Sequence, residues 1–96
     1  MELSRFKELD ISRNDVIEYT VNYNIDEKTD KMTRLAYFLK LTEEELPEEY
    51  RDRHKKPPFI EVAHFKDKNG CTRDYKEIPL EEILYLTTIG KSNLRP

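Results

Sequence analysis

The side chains able to do chemistry are few and widely spaced. Cys71 is the lone thiol, His54 and His64 are the two imidazoles, and no C-x-x-C or H-x-x-x-H spacing joins them. A metal site needs three or four converging nitrogen, sulfur or carboxylate ligands, so neither metal nor cofactor is expected. Cys71 could act as a nucleophile only beside a base that a third group orients. It falls just past a turn, where a structural cysteine is the simpler expectation. Gly90-Lys91-Ser92 matches the end of a phosphate-binding loop, but the first glycine of that motif would stand at Tyr85. No catalytic residue is assigned, and the chain is read as non-enzymatic.

Carboxylates are plentiful, yet acid–base catalysis needs one whose pKa is raised in an apolar pocket. Glu43, Glu44, Glu45, Glu48 and Glu49 crowd one segment, and Arg51, Arg53, Lys55 and Lys56 follow directly. Solvated carboxylates are the ordinary state of such a cluster. Its functional expectation is an acidic face that docks on a basic patch of another protein. The alternative is nucleic-acid contact through Arg51, Arg53, Lys55 and Lys56, with Lys91, Arg95 and exposed tyrosines in support. A net charge of −3 and a pI near 5.4 weigh against a phosphate backbone as main partner. In size and charge the chain resembles small acidic proteins of phages and other mobile elements that block a host's nucleic-acid-handling enzymes. That resemblance implies an adaptor or inhibitor whose partner is a protein.

The elements that must position these residues share one domain, 1–96, with a short polar tail at 91–96. Charged residues make up 39% against 36% apolar, where about a quarter charged is usual, so a thin core under a charged surface is expected. Six Tyr and four Phe argue against disorder. No run of about 18 apolar residues suggests a membrane span, and the charged start Met1 to Glu8 lacks an apolar leader. The single cysteine points to no disulfide. A cytoplasmic setting is expected.

The alternation of Ile17, Tyr19, Val21, Tyr23 and Ile25 with polar residues predicts a half-buried strand over Val16 to Ile25. Asp26 to Lys31 reads as a polar turn. Met32 to Leu41 fits helix and strand patterns alike, and the short turn before it favours a strand completing a hairpin. Thr42 with Glu45 has the form of a capping box, so a helix is expected there, running to Pro57-Pro58 with Glu49 and Arg53 as an i,i+4 pair. Asp67-Lys68-Asn69-Gly70 predicts a second hairpin. Its register sets Asp67 against Cys71, Ile60 against Ile78, His64 against Asp74 and Phe65 against Arg73. Leu80 to Leu86, stopped by Gly90, reads as a closing helix with Leu80, Ile83 and Leu84 inward. A further helical turn is expected around Leu3, Phe6 and Leu9.

The predicted class is α+β: two hairpins forming an antiparallel sheet with short helices, β-β-α-β-β-α. Such a sheet leaves part of the face bearing Met32, Ala36 and Phe38 uncovered, which predicts a homodimer paired across a two-fold axis.

Overall fold

The computed structural model describes residues 1–65 and 74–91. Strand β1 runs Val16–Ile25 and strand β2 runs Lys28–Thr42, so the ambiguous Met32 to Leu41 stretch is a strand. Only Asp26 and Glu27 form the turn, both at positive φ, 50° and 67°, because the right-handed twist of a ribbon favours a two-residue turn of left-handed backbone. Asp tolerates that conformation. Glu27 carries a Cβ penalty of about 1 kcal/mol. The residues read as turn from Lys28 onward are strand instead, paired Ile25↔Lys28 through Asn22↔Lys31. They can be polar because the ribbon runs past the core there, and both its faces meet water.

Strand β3 is Phe59–His64, β4 is Asp74–Pro79 and β5 is Ile83–Gly90; the sheet order is β4-β3-β2-β1-β5, antiparallel throughout. β2 pairs with β1 over its first part and with β3 over its last; Ala36 and Tyr37 pair with both. β4 and β5 lie at opposite edges yet are joined by the three residues Leu80–Glu82. Four Cα steps span about 14 Å at most, whereas the edges of a flat five-stranded sheet stand about 19 Å apart. The sheet is therefore curled, and its inner face closes on itself. Register shifts in β2 at Leu39 and in β5 at Leu84 and Ile89 are bulges, which bend a strand and raise its twist.

The concave face holds the core of Ile17, Tyr19, Ala36, Phe38, Ile60, Val62, Ile78, Leu80, Ile83 and Leu86. Helix α1, Leu3–Glu8, drops Phe6 against Phe38 with ring centroids 5.6 Å apart and caps that core, as the Leu3, Phe6 and Leu9 spacing predicted. Ile60 faces Ile78 and His64 faces Asp74, the expected register. The Asp67 to Gly70 turn, Cys71 and Arg73 lie outside the described residues. The face of β2 left partly open is that of Leu35, 43% exposed, while Ala36 and Phe38 are buried. The uncovered side is thus opposite to the one expected, since the curl folds the Ala36 and Phe38 face inward.

The β-β-α-β-β-α order needs two corrections. No α-helix starts at Thr42, which ends β2 paired with Phe59; the ladder prevails over the local cap, and a 3-10 helix begins only after Pro47, at Glu48–Arg53. The closing helix is a 3-10 turn, Leu80–Glu82, followed by a fifth strand. What stands is a small domain built on one five-stranded antiparallel sheet with a few short helical pieces. Among the described residues no helix is long and apolar enough to cross a membrane.

Candidate functional site

Between β2 and β3 the chain leaves the sheet as an arm, residues 43–58. Glu43, Glu44, Glu45, Glu48 and Glu49 are all exposed on it, as are Arg51, Arg53, Lys55 and Lys56. The 3-10 winding of Glu48–Arg53 takes Glu49 and Arg53 out of the expected i,i+4 alignment; Arg51 pairs instead with Glu45, which precedes the helix, at 3.5 Å. Arg51 Nε also donates to the Leu46 carbonyl at 3.0 Å.

Both ends of the arm are fastened. At its start Lys7 Nζ lies 2.5 Å from Glu43 Oε1. At its end Glu77 of β4 takes two contacts, His54 Nδ1 at 2.6 Å and the Lys55 N–H at 2.9 Å. The His54 ring also stacks parallel to Phe59 with centroids 6.4 Å apart. Phe59 lies on the convex side of β3 and is buried, so the arm supplies its cover. Between these anchors Glu44, Glu48 and Glu49 have no hydrogen-bonding or ionic partner among the described residues, and Tyr50 is 46% exposed.

The anchored end of the arm also walls a cleft of about 250 Å3 lined by Lys55, by Tyr19, Tyr23 and Met32 of the first two strands, and by Lys76 and Ile78 of β4, among others. The Tyr19 hydroxyl is hydrogen-bonded to His64 Nε2 across the interior, joining β1 to β3. His64 Nδ1 stands 3.8 Å from Asp74 Oδ2. The carboxylate on that side favours the tautomer with its proton on Nδ1, leaving Nε2 to accept from the phenol. Burial pushes the Tyr19 phenol up, with Arg34 pulling it down and Asp74 up again. Burial likewise pushes His64 down, aided by Arg34 and opposed by Asp74. Two groups that both resist charge make a poor acid–base couple, because a proton shuttle must populate its charged form. Their chemistry is that of a crosslink.

The structure thus brings the acidic and basic segments into one arm and seats Lys55 in the cleft. Sequence reading missed Glu77 as the clasp and the Tyr19–His64 crosslink, for both are long-range contacts with no local spacing to betray them. Lys91, expected in a free tail, reaches the Asp10 carbonyl at 2.8 Å and the buried Asp15 carboxylate at 3.2 Å. Among the described residues no group of three or more His, Cys, Asp or Glu is placed to hold a metal ion. No family model matches the chain, and neither does a curated protein or a solved structure.

Proposed function

We propose that this chain is a non-catalytic protein-binding domain of adaptor or inhibitor type, acting in the cytoplasm, whose contact surface is the acidic arm from Glu43 to Glu49 with Tyr50. The observation that carries the reading is the fastening of an otherwise fully solvated segment. Lys7, Arg51 and Glu77 hold the arm at its start, middle and end, while Glu44, Glu48, Glu49 and Tyr50 project outward. A loop held in its bound shape loses less entropy on docking, and an aromatic ring among charges has the make-up of a binding hot spot ringed by polar groups. The partner is a protein that presents a basic patch.

The nucleic-acid alternative loses ground on the same geometry. Arg51 is tied to Glu45 and to the Leu46 carbonyl, and Lys55 gives its backbone N–H, not its ammonium, to Glu77. Arg53, Lys55 and Lys56 are then the arm's cations with no ion pair among the described residues, a short row beside the Glu43 to Glu49 carboxylates that repel a phosphate backbone.

The test compares capture from source-cell lysate by the native chain and by the triple variant Glu44→Lys, Glu48→Lys, Glu49→Lys, with the captured protein then purified and titrated. The triple variant should bind at least about tenfold more weakly, with a smaller salt dependence. Equal affinity overturns the arm as the contact surface.

A further inference from the structure

The ladder between β1 and β5 ends at Val21↔Ile83, whereas β1 runs on beside β2 to Ile25. Tyr23 therefore stands on the same side of its strand as the buried Tyr19, but past the last residue that β5 covers. Where β5 stops, the cleft of about 250 Å3 opens between the ribbon and the link from β4 to β5. Its apolar lining includes Val21, Tyr23, Met32 and Ile78, and the first three are only half-buried. Phenol ring, thioether and branched carbons around an opening suit a flat apolar ligand. A cavity of about 150 Å3 holds one benzene ring, so this one has room for a fused pair of rings.

Four charged side chains also line the cleft, two of each sign: Lys55, Lys76, Glu77 and Glu82. Glu77 has both carboxylate oxygens engaged, one by the His54 ring and one by the Lys55 N–H. Lys55, Lys76 and Glu82 make no ion pair among the described residues. Two open cations against one open anion favour a ligand with a single negative charge. The charges that reach the Tyr19 phenol, Arg34 and Asp74, are opposite in sign and leave that balance in place.

We propose that this cleft binds a small aromatic carboxylate, its rings laid among Val21, Tyr23 and Met32 and its carboxylate paired with the ammonium groups of Lys55 and Lys76. Burial of the rings supplies most of the affinity, since an aromatic ligand packs well on a phenol and on a thioether. Pairing with two exposed lysines adds little free energy but selects the sign of the charge. The cleft is separate from the outward carboxylates of the arm, and its failure leaves the arm's reading as it stands.

Titration of the native chain with indole-3-acetate, followed by amide proton–nitrogen NMR, tests this. A ligand of that size and ordinary efficiency has a Kd of about 1 mM, so the shifts should saturate by about 10 mM and centre on Val21, Tyr23, Met32 and Ile78. Three further probes separate ring from charge. Indole-3-ethanol, which keeps the rings and loses the charge, should bind at least about threefold more weakly. Tryptamine, which reverses the charge, should be weaker still, and acetate, which has no ring, should not saturate. Lys55→Met with Lys76→Met should bring indole-3-acetate down to the affinity of the alcohol, with circular dichroism matching the native chain. Should that variant fail to fold, the probes on the native chain decide alone. No saturation by indole-3-acetate overturns the proposal, as do shifts centred away from the cleft, equal binding of any other probe, or an unchanged affinity in the folded double variant.

Discussion

β4 and β5 stand at opposite edges of one sheet and are joined by three residues, yet the chain finishes them differently. β4 carries Asp74, Lys76 and Glu77 among its six residues, ends in Pro79, and has the arm clasped to Glu77. β5 has none of these and, besides its ladder with β1, is latched near its ends. The amino terminus of Met1 donates to the carbonyls of Leu80 and Ile83 at 2.7 and 2.8 Å, and Lys91 reaches Asp15. Charge and covering guard one edge and are absent from the other.

The two latches differ in kind, so breaking each should sharpen the contrast. Asp15 is wholly buried; its carboxylate accepts from the Ser12 N–H at 2.8 Å as well as from Lys91, and its own carbonyl accepts from the Phe38 N–H at 2.9 Å. Asp15→Ala strips the part-buried Ser12 N–H of its acceptor and Lys91 of its counter-charge, at a cost of about 3 kcal/mol. For a domain of this size the melting temperature should fall about 15 °C, read by thermal denaturation. A drop under about 4 °C would mean that the β5 end is held by its strand pairing alone.

The Tyr19–His64 crosslink lies between the edges and is the next in size. Tyr19→Phe removes the donor to a buried acceptor and should cost about 1 to 2 kcal/mol in chemical denaturation. Its pH signature is more specific. Burial holds His64 below its ordinary 6.5, so the unfolded chain binds a proton that the folded one declines. Stability is then full above pH 6.5 and falls as pH drops below it, toward the lowered folded value. Tyr19 has the opposite sign: its folded pKa is raised above 10.0, so stability declines as the pH passes 10 and the unfolded phenol ionises. Arg34, Asp74 and Lys76 are the charges that bear on the imidazole. His64→Gln should flatten the slope just below pH 6.5, and an unchanged slope would assign it to other groups.

The same two edges show what could be read from the sequence. β1 was legible to the residue, because strict alternation over Val16 to Ile25 has no competing interpretation. The β3–β4 register was legible from a turn whose own residues lie outside the described region, since Ile60 with Ile78 and His64 with Asp74 make sense only in one alignment. β5 was misread as helix for a physical reason. The extra residue at Leu84 puts Ile83 and Leu86 on one face, and Leu80, Ile83, Leu86 then repeat every third residue, the spacing of a helix. The ambiguity of Met32 to Leu41 came from Met32, Leu35, Ala36 and Leu39, which keep helical spacing although Ala36 is buried and Leu35 exposed on opposite faces of the strand. For the arm, composition disclosed the acidic cluster but not its clasp, because Glu77 meets His54 and Lys55 only once β4 has paired with β3.

Glu77→Ala is the smallest break and the one that isolates β4. Glu77 is mostly shielded and His54 about a third exposed, so the paired contacts lie near the surface, where such interactions contribute about 0.5 to 1 kcal/mol together. Global stability should therefore barely change. Locally the outcome should be large, because the arm has few buried contacts beyond the stacking of His54 on Phe59, and segments so lightly held open independently of the core. Limited trypsin digestion reads that opening directly, since Arg51, Arg53 and Lys55 offer cleavage sites along the freed stretch, Lys56 being shielded by Pro57. Cleavage within residues 51–56 should accelerate about threefold or more in the variant, while the β2 sites at Lys28, Lys31, Arg34 and Lys40 keep their native rate. If instead Glu77→Ala costs as much stability as Asp15→Ala, the arm is part of the folding unit rather than a cover laid on the β4 edge. The contrast between a guarded edge and an open one would then lose its basis.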